Sequence, residues 1–177
     1  MTDSKSNSER EIRLRPLRAE DAPAMLAWMN DGESVKYLGS GFARPRSLED
    51  VREYIELRLD GEFTGECFAV ADAHTDEYLG QCDLMLPDAR AGTAEAAIVL
   101  LPDKRGRGTA AQALRLLVKK AFGELGYRRL YLKCASENAS AVRLYERAGF
   151  VREGTLRQHI FADSKLMDVY IYGLLKT

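Results

Sequence analysis

Pro102-Asp103-Lys104-Arg105-Gly106-Arg107-Gly108-Thr109-Ala110 joins two segments of opposite periodicity and sets the topology of this chain. Before it, Ala94 to Leu101 is a largely apolar run of strand length. After it, Ala110, Ala113, Leu114, Leu117, Val118, Ala121, Phe122 and Leu125 keep a helical period, which predicts one helix from Thr109 to Leu125, stopped by Gly126. Arg129 to Cys134 then reads as a strand, so a strand–helix–strand crossover is forced and part of the sheet must be parallel. The glycines let the backbone turn tightly and approach a ligand. The first turn of the helix leaves N–H groups without internal partners at the positive end of the helix dipole, a place that binds phosphate oxygens. Arg105 and Arg107 can add charge-assisted hydrogen bonds there. No Gly-Lys-Ser/Thr occurs in the stretch, and no GxGxxG follows the first strand, which excludes a nucleotide-hydrolase P-loop and a dinucleotide fingerprint. Taken alone, the stretch is also compatible with an ordinary basic loop capping a helix.

Working outward, Ile12 to Leu17 alternates as a strand, with Pro16 assigning it to an edge. Asp21 reads as a cap for a short helix carrying Ala22, Met25, Leu26 and Met29. Gly39 to Arg46 is a loop, and Ser47 caps a second helix striped by Leu48, Val51, Ile55 and Leu59. Cys67 to Ala71, Tyr78 to Leu86 and Ala94 to Leu101 form an antiparallel meander, with turns at His74 to Glu77 and Pro87 to Gly92. Beyond the crossover, Ala141, Leu144, Tyr145 and Ala148 mark a fourth helix ended by Gly149. Phe150 to Phe161 and Lys165 to Leu174 close the chain as a hairpin turning at Asp163-Ser164. The order β-α-α-β-β-β-α-β-α-β-β gives an α/β (α+β) fold of seven strands and four helices. A polar tail over residues 1–11 precedes a single domain over 12–177.

Length and composition narrow the function. The 177 residues suit one domain, and 46% hydrophobic with 30% charged residues describes a globular chain. Lys plus Arg number 26 against 27 Asp plus Glu, so there is no overall basic field for nucleic acid. No apolar stretch approaches the roughly 20 residues that span a bilayer, and no apolar signal core is present. The cysteines, Cys67, Cys82 and Cys134, form no CxxC pair and are read as reduced thiols of a cytoplasmic protein. With only His74 and His159 there is no metal-ligand cluster.

Arg105-Gly106-Arg107-Gly108-Thr109-Ala110 resembles the Gln/Arg-x-x-Gly-x-Gly/Ala signature of GNAT acetyltransferases. Some thirty residues on, Asn138-Ala139-Ser140-Ala141-Val142-Arg143-Leu144-Tyr145-Glu146-Arg147-Ala148-Gly149-Phe150 is similar to that family's Asn…Leu-Tyr-Glu-x-x-Gly-Phe block. Glu153-Gly154-Thr155-Leu156-Arg157 is similar to the Glu-Gly-x-x-Arg of its RimJ/RimL-like branch. The resemblance spans nearly the whole chain after the tail. It implies a mixed sheet whose two central strands splay apart, with the pantetheine arm of acetyl-CoA in the opening. It would place Ile98, Val99 and Leu100 on the donor strand, Arg105, Gly106, Arg107, Gly108, Thr109, Ala110 and Ala111 at the pyrophosphate, and Asn138, Ala141, Leu144 and Arg147 near the thioester. No metal is implied.

The implied reaction is direct attack of a neutral amine on the thioester, helped by alignment, carbonyl polarisation and protonation of the leaving thiolate. Tyr145 matches the family tyrosine near the sulfur and is the candidate general acid; a phenol, with an ordinary pKa of about 10, stays protonated at neutral pH. Glu95 is the candidate base through a water chain, with proton loss to solvent and a plain strand glutamate as alternatives. Asn138 reads as a cofactor contact or a helix cap. Cys134 lacks a partnering base in the sequence and is read as a buried small residue.

The acceptor is a primary amine on a small molecule or a peptide N-terminus. Trp28, Tyr37 and Phe42 are candidates for an apolar wall or for the core. Spermidine acetyltransferases are a similar branch, but Arg44-Pro45-Arg46 makes the loop between the first helices basic, which argues against a polyamine. Dimers are common in similar families, so a homodimer is an expected partner. A catalytically silent acyl-CoA-binding sensor or subunit is the alternative function.

Overall fold

The computed structural model describes residues 10–38, 42, 44–61 and 63–177. Most of the expected tail, and Gly39, Ser40, Gly41 and Ala43 of the expected basic loop, lie outside the described residues. Strands β1 (Ile12–Pro16), β2 (Gly65–Asp72), β3 (Tyr78–Asp88), β4 (Thr93–Leu100), β5 (Arg129–Ala135), β6 (Val151–Ala162) and β7 (Lys165–Leu175) form one sheet of order β1-β2-β3-β4-β5-β7-β6. Every pairing is antiparallel except β4 with β5. The crossover is made by α4 (Thr109–Lys119), and the meander, edge strand and closing hairpin stand where the sequence places them. Asp163 and Ser164 both have positive φ, 49° and 61°, the geometry of a tight hairpin turn.

Helices cover both faces. On one face α4 and α5 (Ala139–Arg147) pack Leu114, Leu117 and Tyr145 against Leu84, Ala96, Leu130 and Leu132. On the other, α1 (Ala22–Met29) and α3 (Leu48–Leu59) pack Met25, Trp28, Val51 and Ile55 against Ala69 and Tyr78. The side-chain period of two along each strand is what divides the two cores.

Four local differences from the sequence reading have physical causes. A short fifth helix, α2 (Gly32–Val35), follows α1; four residues carry no readable period, and its mark is Asp31, whose carboxylate accepts from the Ser34 N–H at 2.9 Å. The long helix does not stay α-helical to Leu125: Lys120–Glu124 widens into a π turn in which Leu125 N–H bonds the Lys120 carbonyl at 3.0 Å. Asp21 precedes α1 but makes no side-chain cap, because Arg15 holds its carboxylate at 2.7 and 2.8 Å. Strand β3 runs on to Asp88, which pairs with Thr93 and accepts from the Ala91 N–H at 2.8 Å, so the expected turn starts later. Among the described residues no helix is long and apolar enough to cross a membrane.

Candidate functional site

The parallel ladder between β4 and β5 is brief. Thr93, Ala94 and Glu95 pair with Arg129, Leu130 and Tyr131, and there the pairing ends. Yet β4 stays paired to β3 as far as Leu100, and β5 stays paired to β7 as far as Ala135. The two strands therefore diverge, each held by its outer neighbour, and their inner edges face one another across a fork. Backbone polar groups on such an edge need a partner, and an extended ligand chain can supply it.

A cavity of about 910 Å³ occupies this fork, within the range of small-molecule and cofactor sites. At one end is the glycine turn. Gly106 and Gly108 have φ of 78° and 77°, a left-handed conformation that bends the backbone over Arg107 and costs a residue with a Cβ energy. Gly108 caps α4, and the first bond within the helix runs from the Gln112 N–H to the Gly108 carbonyl at 3.0 Å. The N–H groups of Thr109, Ala110 and Ala111 are consequently without helical partners and can receive phosphate oxygens. Arg115, Arg143 and Arg147 line the same cavity, and none has a hydrogen-bond or ion-pair partner among the described residues. The residues present thus fit a long ligand that carries anionic groups.

Of the residues singled out in the sequence, Ile98, Val99, Leu100, Arg105, Gly106, Gly108, Ala110, Ala111, Asn138, Ala141, Leu144, Tyr145 and Arg147 are brought together around this cavity. Arg107, Thr109 and Glu95 do not line it. Thr109 is turned inward at 3% exposure, and Arg107 stands exposed between the two left-handed glycines. Arg105 lines the cavity, but its guanidinium donates to the Leu100 carbonyl at 3.1 and 3.2 Å and to the Ser34 hydroxyl, so it ties α2 to the rim. Asn138 is the N-cap of α5, accepting from the Ala141 N–H at 3.1 Å and from the Ser140 hydroxyl at 2.9 Å.

Tyr145 is 7% exposed, and its ring packs against Phe150 and Tyr172 with centroids 6.0 and 6.3 Å away. Its hydroxyl has no hydrogen-bond partner among the described residues. Burial, with a smaller contribution from Cys134, pushes its pKa well above that of a free phenol, so the proton stays on. Cys134 is buried, and burial raises its thiol to about 11; it has no base beside it and is no nucleophile. Glu95 is 9% exposed and meets Lys133, whose Nζ donates to Oε2 at 3.2 Å.

The sequence reading missed Lys133, Arg115 and α2, which contributes Glu33 and Ser34 to the wall, with Lys36 following it. Each is a common polar residue with no local signal, and only the fold brings it to the fork. Tyr37 lines the cavity, but Trp28 does not. Trp28 is 1% exposed and its indole donates to the Tyr78 hydroxyl at 3.1 Å, so it belongs to the core. Phe42 packs against Trp28, 5.7 Å between centroids. Among the described residues no cluster of metal-ligating side chains occurs.

The likeness to known proteins agrees with this geometry. Residues 11–151 match the acetyltransferase (GNAT) domain. The chain is 30% identical over 167 residues to the uncharacterized N-acetyltransferase p20 of Bacillus licheniformis, covering 93% of both proteins. It superposes on spermidine N-acetyltransferase from Vibrio cholerae, solved in complex with CoA and spermine, with a TM-score of 0.84 and 27% identity over 93% of this chain and 95% of that one. A dodecameric structure of that Vibrio enzyme matches with a TM-score of 0.78 and 27% identity over 93% of each chain. With the splayed strands, the glycine-capped helix and the matched domain in agreement, the chain belongs to the GNAT family and is an N-acetyltransferase that uses acetyl-CoA.

Proposed function

We propose that this enzyme is of the RimJ/RimL-like branch and acetylates a primary amine, on a small molecule or a peptide N-terminus, that is not a polyamine. The observation that carries the reading is the fork itself: the glycine cradle lies at one end of the cavity and the Tyr145 ring lines the same space. In this reading the N–H groups of Thr109, Ala110 and Ala111 take the pyrophosphate of acetyl-CoA, with Arg115, Arg143 and Arg147 as cationic neighbours. The unpaired edges of Ile98 to Leu100 and of β5 hold the pantetheine amides, and Asn138, Ala141 and Leu144 form the wall beside the thioester. The amine attacks the carbonyl carbon directly, its nitrogen displacing the thiolate, and the Tyr145 hydroxyl gives its proton to the departing sulfur. A buried phenol is a weak acid, but a thiolate in the same dry site is a stronger base than in water, so the transfer remains matched. The proton lost by the amine passes to solvent or by water to Glu95, which does not line the cavity but is hydrogen-bonded by Lys133, which does.

Polycations are disfavoured by the cationic side chains of the cavity wall, because placing a second ammonium beside them costs repulsive energy, while Arg44 and Arg46, in the loop before α3, do not line the cavity. This separates the chain from the polyamine-binding Vibrio relative despite the shared fold. The test is release of free thiol from acetyl-CoA by purified protein across a panel of amines, spermidine and spermine included. Turnover of neither polyamine with a micromolar Michaelis constant is expected, and such turnover would overturn the acceptor reading. CoA binding with no thiol release on any amine would instead favour a catalytically silent acyl-CoA sensor.

A further inference from the structure

The vertex of the fork carries an ion pair whose lysine has no part in the acetyl transfer read above. Leu130, Leu132 and Cys134 of β5 are buried with α4 and α5, so Lys133 projects from the opposite face of the sheet. Ala94 and Ala96 of β4 are likewise buried with α4 and α5, which puts Glu95 on the face that Lys133 uses. Glu95 is the last β4 residue paired to β5, and Lys133 stands two residues past the last pair on β5. The salt bridge between them, 3.2 Å long, therefore spans the point where the strands part. Its two ends are unequal: the Glu95 side chain is 11% exposed and that of Lys133 is 45% exposed. The carboxylate is set into the sheet and the ammonium stands over it, on the cavity wall.

An ammonium has three N–H donors. One goes to Glu95, and Lys133 makes no other hydrogen bond or ion pair among the described residues. The neighbouring cation on this wall is spent, since Lys36 bonds Glu33 at 2.7 Å and lies 3.5 Å from Asp163. The arginines of the phosphate end stand on α4 and α5, on the other face. Arg105, at the α2 rim, is held by the Leu100 carbonyl and Ser34, so Lys133 is the cation with donors to give at the vertex of the fork, on the side away from Tyr145. We propose that Lys133 holds an anionic oxygen of the acceptor, so that the amine acetylated here carries a carboxylate or a phosphate. Glu95 is its positioning residue, fixing the ammonium at the vertex. This rests on the acetyl-transfer reading and narrows it to a substrate class.

The experiment offers the full-length enzyme, at saturating acetyl-CoA, primary amines of matched carbon chain in four forms: an amino carboxylate, an amino phosphate, the amino carboxamide and the diamine. One of the two anionic forms is expected to have the highest kcat/KM, and which one it is tells carboxylate from phosphate. Lys133→Gln should lower kcat/KM for that form by roughly 10- to 100-fold, the range of a hydrogen bond to a charged group, mainly through KM, and leave the carboxamide near its wild-type value. Lys133→Arg should retain most of the preference, and Lys133→Glu should turn it toward the diamine. A wild type that prefers the carboxamide or the diamine, or that turns over none of the four, overturns the proposal without the need for any variant. So does a folded Lys133→Gln enzyme that slows all forms equally. CoA titration separates the two levels: a protein that binds CoA normally but ranks amines otherwise loses only this inference, whereas one that binds no CoA loses the acetyl-transfer reading as well.

Discussion

At the β1 edge of the sheet, Arg13, Arg15 and Arg18 converge on Asp76, and Arg15 also grips Asp21; at the fork, Arg115, Arg143 and Arg147 surround open space. Both clusters are basic, and both border a concavity, that at the edge being about 500 Å³. At the edge each arginine already has its carboxylate, so the charges fasten β1 to the turn after β2 and to the start of α1. At the fork the arginines and the first N–H groups of α4 have no such partners, and the strand edges are unpaired. Charge density alone does not mark a binding site. Donors that the fold leaves unspent do, because they are the ones a ligand can satisfy.

Tyr145→Phe separates the two regions most strongly. The ring and its packing against Phe150 and Tyr172 remain, so the melting temperature should hardly change. If the hydroxyl protonates the thiolate, the single-turnover rate should fall by roughly 10²–10⁴ with CoA affinity little altered. A wild-type single-turnover rate would make Tyr145 a packing residue, of the same kind as the arginines at the edge.

The reverse experiment is Arg15→Met. Arg15 is 7% exposed and its partner Asp21 5%. Removing one member of a buried pair typically costs about 3–5 kcal/mol, because the other charge is left uncompensated. Denaturant unfolding should show a loss of that order, while CoA affinity of the folded fraction stays at the wild-type value. Loss of CoA affinity in folded protein would mean that the edge cluster is not merely a fastener.

Gly108→Val comes next. It forces a β-branched residue into a left-handed conformation and turns the first N–H groups of α4 away from the cavity. CoA affinity should fall by about 10- to 100-fold, the equivalent of one or two lost charge-assisted hydrogen bonds. Unchanged affinity would move the phosphate site elsewhere.

The smallest effect is expected at Asp76. A hydrogen bond from Arg13, then one from Arg18 and the charge of Arg15, hold its carboxyl well below the usual carboxylate range. A depressed folded-state pKa contributes stability that is present above the unfolded value of about 3.9 and is lost as pH falls through the folded value. Asp76→Asn should therefore lower the melting temperature at neutral pH, and the difference should shrink in acid. A difference independent of pH would assign the loss to packing instead.

What was legible in the sequence follows the range of each signal. Gly106, Gly108 and Asn138 obey short-range rules, a left-handed turn and a helix cap, and a reader of the chain can place them. Tyr145 came from the resemblance, since by period alone it reads as a core residue, and burial shows that it is one as well. Lys133 was silent. Its significance depends on which face of β5 meets the cavity and on where the pairing with β4 stops, and both are set by contacts between distant segments. Arg105 was legible only in part, for the same reason. Beside two glycines it reads as a phosphate ligand, yet the fold brings the Leu100 carbonyl and Ser34 within its reach. Trp28 stayed open between an acceptor wall and the core because an aromatic at the end of a helix has no sign to say which side it faces.

If the fork between β4 and β5 is the seat of the donor, calorimetric titration of CoA into the wild-type protein should show a single saturable site per chain, near stoichiometric, which weakens in Gly108→Val and is preserved in Tyr145→Phe and in folded Arg15→Met. Absence of saturable binding at millimolar CoA would contradict it.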